Sequence, residues 1–218
     1  VVFLSIPSNE MLEQVREWNP DAFLVNLFGG IRARGADISI DPDNVGGGEL
    51  AAEHLFANGH RRHVAVLDAP PPSQVVRADA FAARLRRLAP ECRIDYHHPA
   101  GALSEQQAIF ADYAAERKLP SAIFCTNGTI AYTLCTGVLW NNADPRIREL
   151  GVVGYDYEKY LEIKLPRPID RIVFSPEQVI RWGEYYIQNR PLLDDFEPLH
   201  TFTSSQLEIN GSVRNLSS

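Results

Sequence analysis

The sequence predicts an α/β protein, with parallel sheets covered by helices on both faces. Two observations carry this. Short apolar, β-branched runs alternate with longer stretches of helical spacing along almost the whole chain, which is the signature of strand–helix–strand units. The stretch 43–67 spells out one such unit in full: a cap, a helix, a stop and a strand.

Taken in order, residues 1–6 are apolar and β-branched and read as a strand. Met11, Leu12, Val15 and Trp18 then share one helical face. Residues 22–27 and 38–40 read as the second and third strands. Asp43 or Asn44 can cap the exposed amides of the next helix, 47–58, whose Leu50, Ala51, His54, Leu55 and Asn58 fall near helical spacing. Gly59 supplies the left-handed residue that ends it, and 63–67 forms a short buried strand. Pro70-Pro71-Pro72 reads as a stiff loop. Phe81, Leu85 and Leu88 mark a helix whose Arg84, Arg86 and Arg87 face solvent. A strand at 92–96 precedes a helix at 105–118 with Ile109, Phe110 and Tyr113 inward. A strand at 121–126 leads to a helix marked by Ile130, Leu134 and Val138. Strands at 150–155 and 171–174 follow, then a helix at 176–188 opened by Pro176, and a closing strand at 207–209. Ligands of such sheets sit beyond the carboxyl ends of the strands, so the informative loops follow Leu27, Leu67, Tyr96, Thr126, Tyr155 and Phe174.

The 218 residues suffice for one large domain or two small lobes, and 45% hydrophobic with 22% charged residues is ordinary for a globular protein. A net charge of −7 argues against these residues themselves coating a nucleic-acid backbone. Cys92, Cys125 and Cys135 have no metal-type spacing and read as reduced thiols of a cytoplasmic protein. No apolar run approaches the ~20 residues of a membrane span. The chain opens in a strand, without Met or a secretory leader, as though cut from something longer. His60 and His63 lack a third ligand nearby, so no metal is expected. Gly46-Gly47-Gly48 is followed by no Lys-Ser/Thr and precedes rather than follows a proper strand, so no nucleotide cofactor is expected. There is no nucleophile elbow and no spaced carboxylate pair, so the chain reads as a binding protein rather than an enzyme.

Five segments carry a resemblance, in order. They are the run from Asp43-Asn44 through His54-Leu55 to Gly59-His60-Arg61; Ser73 to Phe81, with Ala80 where a Gly is usual; the strand ending Thr126-Asn127-Gly128; Gly151-Val152-Val153-Gly154-Tyr155-Asp156; and Gln206 to Val213, with Asn210 where an Arg is usual. Together they resemble the effector core of the LacI/GalR family of transcriptional regulators. The resemblance implies a two-lobed, periplasmic-binding-protein-like type I fold that closes on a sugar or sugar phosphate. It sets the N-terminal lobe at 1–41 plus 175–201 and the C-terminal lobe at 42–174 plus 202–218, with crossings near 40–43, 173–175 and 201–204. It further implies two strand–helix units and a helix-turn-helix DNA-binding head ahead of Val1, which leaves the first lobe incomplete here. A repressor, acting as a cytoplasmic homodimer on operator DNA through that absent head, is the implied whole. The dimer would use the stretch near 157–160 and the Ile130, Leu134 and Val138 helix, whose plainer reading is a buried core helix. The alternative is a periplasmic sugar-binding protein of an ABC transporter.

The resemblance also implies ligand contacts, each set against a plainer role. Arg77 can fork two hydrogen bonds onto vicinal hydroxyls or a carboxylate, or form a surface ion pair. Asp156 can accept from hydroxyls or cap a helix, and Asn127 can bind or stabilise a turn. Asn26 falls where the family usually has Asp, Ser73 offers a hydroxyl, and Phe174 can stack on a sugar face or fill the core. Tyr96, His97 and His98 follow a strand end and read chiefly as an exposed loop. Gly128 stands where the family has Asp, which with Arg77 would ease binding of an anionic effector.

Overall fold

The chain divides into two units, Val1–Asn44 with Phe174–Ser205, and Val45–Val173 with Gln206–Ser218. The computed structural model describes residues 1–4, 9–30, 32–99, 101–155, 168–193 and 197–216. In chain order these form β1 (Val2–Leu4), α1 (Asn9–Trp18), β2 (Val25–Leu27), β3 (Ile38–Pro42), α2 (Asn44–Ala57), β4 (His63–Leu67) and α3 (Pro72–Leu88). Next come β5 (Arg93–His97), α4 (Leu103–Glu116), β6 (Ala122–Cys125), α5 (Gly128–Leu134) with a π turn Cys135–Leu139, α6 (Pro145–Arg148) and β7 (Gly151–Tyr155). The last are β8 (Asp170–Val173), α7 (Pro176–Gln188), a 3₁₀ turn Arg190–Leu192, β9 (Leu199–Thr203) and β10 (Gln206–Glu208).

The first unit carries a four-stranded parallel sheet in the order β1-β2-β3-β9. Val25, Leu27, Ile38 and Ile40 point to one face and pack on Val179 of α7. Gly183 brings that helix close, since a Cβ there would stand 3.2 Å from Leu27 Cδ2. Ser175 caps α7 by accepting from Gln178 N, and Pro176 supplies its first turn. Leu12 of α1 packs with Leu24, Ala33 and Ala36 in a separate cluster.

The second unit is a six-stranded sheet in the order β10-β8-β7-β6-β4-β5. Five strands are parallel. β10 is antiparallel, which a purely parallel reading misses. The reason is topological: Gln206 enters the sheet paired with Val173, where β8 leaves it, so the incoming strand must run the other way. The core joins Ile123, Cys125, Ile130, Leu134, Val138 and Phe110. Ile130, Leu134 and Val138, with the adjacent Cys135, are buried within the single chain, as a core helix has them; Tyr132 stays half-buried. Phe81 of α3 stacks on Phe124 of β6, with ring centroids 4.7 Å apart.

Some boundaries and elements differ from the sequence reading. All of Gly46-Gly47-Gly48 lies inside α2, and the run follows β3 rather than preceding a strand. Tight packing on neighbours outweighs the low helix propensity of Gly: a side chain at Gly47 would collide with the Tyr155 ring and one at Gly48 with the Arg77 carbonyl. Pro72 opens α3 rather than closing a loop. The short α6, capped by Asp144, and the strand β9 have too few periodic residues to stand out.

The C-terminal segment is stitched to the second unit. The amides of Asn210, Gly211 and Ser212 all donate to Asp170 Oδ1, at 2.6, 2.6 and 3.2 Å, while Asp170 Oδ2 meets His54 Nε2 at 2.7 Å. His60 Nε2 reaches the Arg214 carbonyl at 3.0 Å. Burial would raise the Asp170 pKa, but these hydrogen bonds outweigh it and hold the carboxyl below its ordinary value.

Candidate ligand-binding site

In the second unit α3 begins only five residues after β4 ends, so its first two turns lean over the carboxyl end of the adjacent β6. Arg77 lies there, only 5% exposed. Its Nη1 donates to the Thr126 carbonyl at 2.9 Å, and its guanidinium carbon stands 3.8 Å from the centroid of the Tyr155 ring. This buried cation–π stack is worth on the order of 1–2 kcal/mol. Tyr155 ends β7 and has no exposure, and the bare backbone of Gly47 makes room for its ring.

Gln74, one turn earlier, organises the neighbouring loop. Its Oε1 accepts from Thr126 Oγ1 at 3.1 Å and from Asn127 Nδ2 at 2.8 Å. Asn127 Oδ1 in turn accepts from Ile130 N at 2.8 Å and caps α5. The structure thus brings Arg77 and Asn127 together through Thr126 and Gln74. Asn127 stabilises a turn, as its plainer role has it. Ser73 is half-buried in the first turn of α3. Asp156 lies outside the described residues.

Two polar residues beside these strand ends escaped the sequence reading. One is Gln74. The other is Asp68, directly after β4, only 3% exposed and bonded to His98 Nδ1. Burial pushes its carboxyl pKa up, with the His98 bond opposing. The only signal for it was position, as the first residue after an apolar strand. His97 belongs to β5 rather than to a loop, and its Nε2 lies 2.6 Å from the Tyr113 hydroxyl; burial lowers its pKa. Tyr113 also donates to Asp95 at 3.1 Å. Burial would raise Asp95, but bonds from Arg93, His63 and Tyr113 hold it at about 2.

The first unit has its own polar strand ends. Asn26 on β2 is fully buried, and neither its Oδ1 nor its Nδ2 has a partner among the described residues. In register it sits beside Ser39 and His200 on one face of the sheet. Asp41 accepts from Gly30 N at 2.6 Å and from His200 Nε2 at 2.7 Å, which fixes the loop after β2. In that loop Phe28 takes a left-handed φ of 61°, and its ring lies 6.4 Å from that of Phe174. Such strain in a bulky residue tends to persist where the surroundings over-determine it.

Among the described residues no three His, Cys, Asp or Glu side chains are placed to hold a metal ion. The cysteines are free and buried, and burial raises the Cys125 thiol. No described helix is long and apolar enough to cross a membrane.

No protein-family profile matches the chain, and no curated protein matches it in sequence. Solved structures do match. A LacI-family transcriptional regulator from Enterococcus faecium with bound ribose aligns at a TM-score of 0.78 and 18% identity, over 99% of this chain and 80% of that one. The LacI-family regulator CCPA from Weissella paramesenteroides, with bound sucrose, aligns at 0.77 and 14% identity over 99% and 78%. An ABC-transporter solute-binding protein from Agrobacterium vitis, bound to α-D-tagatopyranose, aligns at 0.73 and 17% identity over 98% and 76%. The chain therefore has the α/β fold of periplasmic-binding-protein-like effector domains, the fold these regulators and binding proteins share.

Proposed function

We propose that the chain is the effector-sensing core of a bacterial LacI-type transcriptional regulator, a repressor, responding to a sugar or sugar phosphate. One observation carries this reading. A buried arginine, stacked on Tyr155 and tied to the strand end that bears Asn127, waits at the carboxyl ends of parallel strands, on a fold whose solved examples hold ribose and sucrose. Arg77, Asn127, Ser73 and Asp156 are the assigned contacts in the second unit, Asn26 and Phe174 those in the first. The unpaired amide of Asn26 favours the assignment, because a buried amide without a partner is stabilised by a ligand that supplies one.

Regulation follows if the ligand prefers one of two arrangements of the protein, since only that difference in affinity shifts their balance. Operator DNA would be read by a separate domain, in a cytoplasmic homodimer, and no chemical step is assigned to the chain. A sugar-binding protein of an ABC transporter is the second reading, favoured by the Agrobacterium vitis structure.

A melting-temperature screen over free sugars and sugar phosphates tests the proposal, because a ligand of the native state raises the midpoint in proportion to its binding free energy. At least one should stabilise wild type and lose its effect in Arg77→Ala. No response across the panel would overturn it. The genomic sequence upstream separates the two readings, as a helix-turn-helix or a secretory leader.

A further inference from the structure

The second unit holds a hollow at the end of its sheet away from Arg77. Leu150 stands just ahead of β7, Ile169 just ahead of β8, and residues 210–214 follow the antiparallel β10, so all three meet at the amino ends of the parallel strands. Gly151 and Tyr155, at the two ends of β7, stand ~13 Å apart at ~3.3 Å of rise per residue. The hollow has a volume of about 270 Å³, close to the ~300 Å³ at which small-molecule sites begin. Gly211 forms part of its wall with a φ of 87°, and a Cβ there would meet nothing within 4 Å.

Two kinds of side chain line it. Leu150, Val152 and Ile169 give an apolar floor, each at most 9% exposed, and the half-buried Trp140 closes another side. The charged groups are Arg148, Arg214 and Glu149. Glu149 is taken by Arg214 at 2.7 Å. Arg148 keeps only a 3.3 Å bond from Nη1 to the Asn142 carbonyl among the described residues. Asp144, whose carboxylate feels the Arg148 charge, is committed to Arg146 at 2.6 Å. One guanidinium without a carboxylate partner among the described residues therefore stands beside an apolar floor. A guanidinium forks two parallel hydrogen bonds onto a carboxylate. The floor favours a ligand that brings hydrocarbon to cover it. A free sugar would bring no charge for Arg148, and inorganic phosphate no apolar surface for the floor.

We propose that this hollow is a second ligand site, separate from the strand-end site, and that it takes a small monocarboxylic acid with an apolar body. The carboxylate lies on Arg148, and the body covers Val152 and Ile169 beside Trp140. The wall at 210–212 is the segment whose amides hold Asp170, so an occupied hollow also steadies that segment.

Tryptophan fluorescence reads the hollow directly in Trp18→Phe/Trp182→Phe. Both replaced indoles lie in the first unit, and Trp140 is the third of three in the chain. Benzoate and phenylacetate should change its emission saturably. Benzyl alcohol and acetate, which keep only the ring or only the charge, should bind at least ~10-fold more weakly. Arg148→Gln should cut benzoate affinity by ~10-fold or more and erase its lead over benzyl alcohol. Arg146→Gln, on the same short helix but outside the hollow, should change neither. In wild type, benzoate should slow hydrogen exchange of the amides at 210–212. No saturable response to either acid, a benzyl alcohol response equal to that of benzoate, an undiminished preference in Arg148→Gln, an equal loss in Arg146→Gln, or unslowed exchange at 210–212 each overturns the proposal. A melting shift with sugars alongside any of these failures sinks this site and leaves the effector-sensing reading standing.

Discussion

Replacing Asn26 by Leu should make the unliganded protein more stable while removing its response to effector. Asn26 is fully buried on β2, and both amide atoms lack a partner among the described residues. Leaving buried polar groups unsatisfied costs about 1–3 kcal/mol, and an apolar side chain of similar volume removes that cost. In a chain of this size each kcal/mol moves the midpoint by about 2–4 °C, so a rise of about 3–10 °C is expected. Differential scanning calorimetry measures it directly. Asn26→Ala is the control: it deletes the amide but leaves a void, and its midpoint should fall below that of the Leu variant. Any sugar that stabilises wild type should shift Asn26→Leu far less. A fall in the midpoint of Asn26→Leu would mean the amide is satisfied, and an undiminished sugar response would mean it faces no ligand; either result refutes the reasoning.

Three further expectations follow from the same geometry. Gly47→Ala places a methyl against the Tyr155 ring; overpacking of this kind costs about 1–3 kcal/mol, and chemical denaturation should show it together with weakened effector binding as the ring shifts beneath Arg77. Gln74→Ala unlinks Thr126 from Asn127; affinity should drop several-fold with stability changed by about 1 kcal/mol, read by calorimetry and urea melts. Asp95→Asn probes pH linkage. The Asp95 carboxyl is held at about 2 in the folded state, below its ordinary value of 3.8, so its stabilisation is present above pH ~4 and lost as pH falls through about 2. Wild type should therefore exceed Asp95→Asn in stability at pH 6, with the gap closing in that acid window.

How far the sequence reaches depends on what each feature rests on. Helix α7 was readable to its first and last residue because Ser175, Pro176 and the apolar spacing all mark it locally. The start of α2 was not, because three consecutive glycines argue against a helix and only packing on Tyr155 and Arg77 explains them. The direction of β10 depends on where a distant strand leaves the sheet, which no local pattern encodes. Around the candidate site, the positions of Arg77 on the helix after β4 and of Asn127 just past β6 were legible. Gln74, which joins them, was not, since a lone glutamine in a helix has no signature. Asp68 was hidden because its burial comes from the loops around it rather than from its own neighbours in sequence.

The closing segment has a practical bearing on anyone handling this molecule. Three consecutive amides converge on one oxygen of Asp170, and the Arg214 carbonyl leans on His60, so residues 210–214 act as a seam that shuts the second sheet. Proteolytic clipping within that seam would strand a buried carboxylate beside His54 and loosen the unit. An affinity tag belongs after residue 216, on a spacer long enough to leave the stitching undisturbed.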